Sequence, residues 1–187
     1  VALGNDPVTG GVSDQLIVFD VNDVGDDAKA AVKSRVISIG QLDDDHAPVV
    51  PGSTAMPRHV ITMKKASLAF VTLQNAGAVA AVDLVAGRQI DVGGKASEGV
   101  GLIELAHPGD KGTAAPFHII LDHSNRYALI SDANSPSIYV IDVNNKQHVH
   151  TFQLDFPAGY GLREIGLTPD GKQLVVTLTN GATLPNT

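Results

Sequence analysis

The feature that most limits what this chain can fold into is an internal repeat. His59-Val60-Ile61 lies over His118-Ile119-Ile120 at an offset of 59. The same offset lays Phe70-Val71-Thr72 on Leu129-Ile130-Ser131, and Val82-Asp83-Leu84 on Ile141-Asp142-Val143. The apolar-Asp-apolar triplet recurs at Phe19-Asp20-Val21. An offset of 46 sets Pro169-Asp170-Gly171-Lys172 on His123-Ser124-Asn125-Arg126. Periods of this size mark supersecondary units that stack, because no single unit can bury its own apolar face.

The unit is clearest between Pro116 and Asp155. Four apolar runs, Phe117–Leu121, Tyr127–Ser131, Ser137–Val143 and Val149–Leu154, are rich in Ile, Val, Leu and Tyr, which suit a pleated buried surface. His-Ser-Asn, Ala-Asn-Ser-Pro and Asn-Asn-Lys separate them, and all three are good turn chemistry. Four strands in about forty residues make one four-stranded antiparallel sheet. A second unit reads over 57–93. Two strands precede it (15–40) and two follow the clear unit (162–180). Residues 1–14 read as turn-rich and peripheral, and 41–56 and 94–115 as long loops.

Alternation of apolar and polar residues is poor at Leu16–Phe19 and Leu174–Val176. A sheet with one wet face would alternate cleanly. Near-continuous apolar runs suit sheets packed on both faces, as in the blades of a β-propeller. A single sandwich is the alternative. Three blades fall short of the four to eight that close a ring. Either the chain is part of a longer propeller, or two copies share one ring.

Composition narrows the partners. Thirteen basic against twenty acidic residues give a net charge of −7, with no basic cluster, which argues against nucleic acid and anionic membrane. No apolar run approaches the roughly 20 residues that span a bilayer. With no cysteine, disulfides, thiolate nucleophiles and Cys-ligated zinc are excluded. The chain begins with Val1 rather than Met, as a processed or trimmed chain would.

Phe70-Val71-Thr72, Val79–Leu84 and the turn at Gly87 resemble the YVTN-type β-propeller repeat, as do Ala128–Asp132 and Tyr139–Asp142. Leu167–Lys172 looks like that family's turn between first and second strands. The resemblance covers about 57–180 well and 15–40 in part. It implies a β-propeller fold and, from relatives such as surface-layer proteins, reductase propeller domains and periplasmic zinc chaperones, a periplasmic or extracellular setting. With no Trp, the WD-type signature is absent.

His59 and His118 open the first strands of successive units, and Glu164 falls at the matching place in the next. First strands line a propeller's channel, so two imidazoles and a carboxylate there form a candidate zinc or copper site. The alternative is a set of inherited polar groups at channel-lining strand ends. His148 and His150 are two apart on a strand and would share a face. His46 follows an acidic run, Asp43–Asp45, in a loop, while His107 and His123 fall at turns. Asp20-x-Asn22-x-x-Gly25 starts like a calcium loop but places Val24 and Ala31 where oxygen ligands belong. The repeated Asp20, Asp83 and Asp142 suit backbone hydrogen bonding at strand ends. The sequence supports no catalytic triad, phosphate loop or general acid–base pair. The chain therefore reads as a non-enzymatic, exported binding or scaffold module that meets a protein partner, or further blades, through its face and loops. The alternative is a zinc or copper carrier, or the propeller domain of a periplasmic redox enzyme.

Overall fold

A computed structural model describes residues 2–5, 12–19, 34–49, 55–63, 66–93, 99–107, 113–156 and 159–180. Its described regular structure is all β, in four antiparallel sheets. β1 (Ala2–Asn5), β2 (Val12–Phe19) and β3 (Ser34–Ser38) form the first. β4 (Pro57–Met63), β5 (Leu68–Leu73), β6 (Ala78–Asp83) and β7 (Arg88–Gln89) form the second, with β8 (Ile103–Glu104) also on β6. β9 (Pro116–Leu121), β10 (Tyr127–Asp132), β11 (Ser137–Asp142) and β12 (Gln147–Gln153) form the third. β13 (Tyr160–Leu167) and β14 (Leu174–Asn180) form the last.

The turns follow from the repeated aspartates. The Asp83 carboxylate accepts the amides of Val85 and Ala86, and Gly87 takes a φ of 70°. The Asp142 carboxylate accepts the amides of Asn144 and Asn145 in the equivalent turn. Backbone amides therefore lead in holding both carboxyls below their usual range, chiefly those of Ala86 and Asn145 respectively. Asp20 and the calcium-like stretch lie outside the described residues.

The sheets pack face to face in chain order. Leu16, Ile37 and Ile39 of the first region cluster with Ala69, Val71, Ala80 and Val82 of the second sheet. That sheet's other face, with Phe70, Val79 and Ala81, meets Ile119, Ala128, Ile130, Tyr139 and Ile141. On the far side of the third sheet, Ile138, Ile120 and Leu129 meet Leu162, Ile165, Leu174 and Val176. All six residues of β11 are consequently buried, which is why its sequence is apolar without alternation. The closest approach is at Gly161, where a Cβ would lie 1.8 Å from the carbonyl oxygen of Ala133. Only glycine lets these two backbones meet.

Four expectations need correction. Residues 2–5 are strand rather than turn, because β1 pairs with β2 from Ala2↔Gln15 to Asn5↔Val12, so the first sheet has three strands rather than two. The fourth strand expected over 88–93 is only two residues long, and the expected loop 94–115 contains β8. Both corrections have one cause. β7 pairs with the end of β6 at Val82 and Asp83, and β8 with its beginning at Ala78 and Val79. Ile103 and Glu104 thus take the places that Val92 and Gly93 would hold in an unbroken outer strand. His148 and His150 do not share a face either. A register shift pairs His150 with Val140 and His148 with Ile141, adjacent residues that point to opposite sides.

Candidate functional site at the inner-strand bulges

β4, β9 and β13 each break register at the same place. Pairing jumps from Pro57↔Leu73 to Val60↔Val71, from Pro116↔Asp132 to Ile119↔Ile130, and from Leu162↔Leu178 to Ile165↔Val176. Two residues oppose one in each case: Arg58-His59 opposite Thr72, Phe117-His118 opposite Ser131, and Arg163-Glu164 opposite Thr177. A bulge leaves an amide without its ladder partner and re-aims the neighbouring side chains. Here a hydroxyl takes that amide every time. The amides of His59, His118 and Glu164 donate to Thr72 Oγ1, Ser131 Oγ and Thr177 Oγ1, each at 3.0 Å.

The bulges bring the three expected site residues together. The rings of His59 and His118 lie 3.9 Å apart between centroids, tilted by 54°. His118 Nε2 is 3.0 Å from Glu164 Oε2. The amide of Ile165 donates to His118 Nδ1 at 3.2 Å, which leaves the proton of a neutral ring on Nε2, directed at Glu164. Among the described residues, buried His59 Nδ1 has no hydrogen-bond partner. Burial, and next the neighbouring His118, lower the His59 pKa from the usual imidazole value. The Glu164 carboxylate and a backbone contact at Ile119 act in the opposite sense.

As a ligand set this row is incomplete. His118 spends both nitrogens, one on the Ile165 amide and one on Glu164. Among the described residues no three His, Asp or Glu side chains are arranged to hold a metal ion. Zinc or copper would have to displace the Ile165 amide or Glu164 before using His118.

The other residue of each bulge forms a second row that the sequence reading missed. Phe117 stands between two guanidiniums, with Arg58 Cζ 5.6 Å and Arg163 Cζ 4.8 Å from its ring centroid. Arg58 donates to Gln74 Oε1 and Arg163 to Thr179 Oγ1. Among the described residues neither is ion-paired with a carboxylate. Its sequence signal is a pair of large polar or aromatic residues that interrupts an apolar strand, with Thr or Ser thirteen residues after the second member.

Three other histidines make local contacts. His46 Nε2 meets the carbonyl of Gln89 at 3.1 Å, while Asp43 caps its own turn through the amides of Asp45 and Ala47. His148 Nε2 meets the carbonyl of His150 and Thr151 Oγ1, both at 2.9 Å. His123 packs against the turn at Gly171.

Solved structures of similar shape support the fold. The periplasmic gluconolactonase of Pseudomonas aeruginosa matches 68% of this chain and 34% of its own, at 19% identity and a TM-score of 0.52. A Bacteroides uniformis protein described as a 6-phosphogluconolactonase matches 92% of this chain and 58% of its own, at 14% identity and a TM-score of 0.50. Hydrazine synthase of Kuenenia stuttgartiensis matches more loosely, at 20% identity over 68% of this chain and 30% of its own, with a TM-score of 0.47. The chain thus spans between about a third and six tenths of these structures. No family model matches it, and no curated protein matches it in sequence. With the stacked antiparallel sheets, the two gluconolactonase likenesses define the class as an all-β, partial propeller-like fold. Among the described residues no helix is long and apolar enough to cross a membrane.

Proposed function

We propose that this chain is an exported, non-enzymatic propeller module that binds the carboxylate groups of a protein partner along its bulged inner strands. The observation that carries the reading is the Arg58–Phe117–Arg163 row. In a chain of net charge −7 there is no shortage of carboxylates, yet two guanidiniums flank one ring without any among the described residues. Guanidinium forks recognise carboxylates through paired hydrogen bonds. At physiological salt, screening over about 8 Å uncouples this local pair from the distant negative charge. The periplasmic setting of the Pseudomonas gluconolactonase supports export of a chain with this fold.

Hexaglutamate is a suitable probe. It should bind the purified chain in low-salt buffer, weaken as salt rises, and lose about ten-fold in affinity in Arg163→Ala. Affinity that ignores salt and both arginines would sink the reading. The second reading, a zinc or copper carrier, draws on the orphaned Nδ1 of His59 beside His118 and Glu164. Equilibrium dialysis against each metal tests it, with His118→Ala expected to abolish uptake. Uptake unaltered by that substitution would remove it.

A further inference from the structure

The second and third sheets each grip the next through a bulge hydroxyl, and among the described residues the last sheet carries the equivalent hydroxyl without such a partner. Thr72 donates its hydroxyl proton to the carbonyl of Phe117 at 2.9 Å, joining the second sheet to the third. Ser131 donates to the carbonyl of Arg163 at 2.6 Å, joining the third to the last. The amide of Ile165 completes that junction on His118 Nδ1. Both junctions therefore read the carbonyl of the incoming strand's first bulge residue, and the second of them also reads the amide just after the bulge.

Thr177 and Glu164 repeat this arrangement. Thr177 Oγ1 holds the Glu164 amide as Thr72 and Ser131 hold those of His59 and His118. Among the described residues, however, the Thr177 hydroxyl reaches only Glu164's own carbonyl, at a long 3.4 Å. The Glu164 side chain is 63% exposed and, among the described residues, pairs with His118 alone, through Oε2. The apolar surface alongside is open in the same way. Phe70 is fully buried where the third sheet covers it, whereas Val175 at the matching place on β14 is 59% exposed.

We infer that the outer face of β13–β14 is a docking surface for the bulged first strand of a further blade of this same repeat. Thr177 donates to its bulge carbonyl, the Glu164 carboxylate accepts the following amide, and Val175 is covered by its apolar side chains. Continuity with the two existing junctions selects this occupant, because the unfilled groups match a bulged strand and not a regular one. Recognition through main-chain groups is the general logic of strand addition.

A labelled peptide of residues 114–123, which carries the β9 bulge, tests the inference by fluorescence anisotropy against the full 187-residue chain in metal-free buffer. Saturable one-to-one binding is expected. Thr177→Val and Glu164→Leu should each weaken it about five-fold, the loss that goes with one net hydrogen bond. Val175→Lys should abolish it. A peptide lacking Phe117, which has no bulge, should bind at least ten-fold more weakly. Unchanged far-ultraviolet circular dichroism would show that each variant is folded. No saturable binding, equal binding of the bulge-less peptide, or indifference to Thr177→Val would each overturn the proposal, the last by placing the peptide elsewhere, as on the exposed Phe19 and Val36.

Discussion

The third and last sheets are built from similar sequences and meet different surroundings. In β9–β12 both faces are covered, and Ile130, Tyr139 and Ile141 have no measurable exposure. In β13–β14 one face is covered, so Leu174 and Val176 are half-buried while Val175 between them is 59% exposed. Yet Leu174-Val175-Val176 is as continuously apolar as Ile138–Ile141. An apolar run without alternation thus records the surroundings a strand is suited to, which need not be those it has.

Substitutions at matching positions would break or sharpen that contrast. The largest effect is expected at Phe70, at the face between the second and third sheets. Phe70→Ala should cost about 3–5 kcal/mol in chemical denaturation, through lost transfer energy and the cavity left behind. Val175→Ala, at the same repeat position on the open face, should stay within about 0.5 kcal/mol. Equal costs would mean that the open face is covered in solution. A middle effect is expected at the bulge hydroxyls. Ser131→Ala leaves the His118 amide and the Arg163 carbonyl unpaired in a buried junction and should cost about 1–3 kcal/mol. Thr177→Val should cost clearly less, because water reaches its partners, and the same unfolding experiment compares the two.

The smallest effect is the pH dependence set by His59. Burial holds its folded pKa below the unfolded value, so the unfolded chain takes up the proton first as pH falls. This contribution to stability is complete above the ordinary imidazole range. It is lost progressively as pH drops below about 6.5 towards the folded value. Denaturation midpoints should decline over that window, and more gently in His59→Phe. An equal decline in both would assign the dependence to other groups.

The sheet-forming units were legible because each carries a full set of apolar runs and turn residues, and because the offset of 59 aligns them without gaps. The convergence of His59, His118 and Glu164 was legible for the same reason, since equal repeat positions on adjacent strands become neighbours in space. β1 was not, because Ala-Leu-Gly-Asn is short and ends in turn-forming residues, and only pairing with β2 makes it a strand. β8 was hidden because two residues carry no periodicity. The face of His150 depended on a register shift that strict alternation does not foresee. The arginine row escaped notice because its members are remote in sequence and gain meaning only around Phe117.

The split outer strand has a practical consequence. Between Gln89 and Ile103 the chain leaves the sheet and returns to it, and β6 keeps a partner at both ends. Extra length at such a point costs little loop entropy, since closure grows only logarithmically with residue number. The outer rim of this sheet is therefore a natural port of insertion. A peptide tag or a small folded domain spliced there would sit on the side of the sheet opposite the inner strand β4, leaving the row that carries His59, His118 and Glu164 undisturbed.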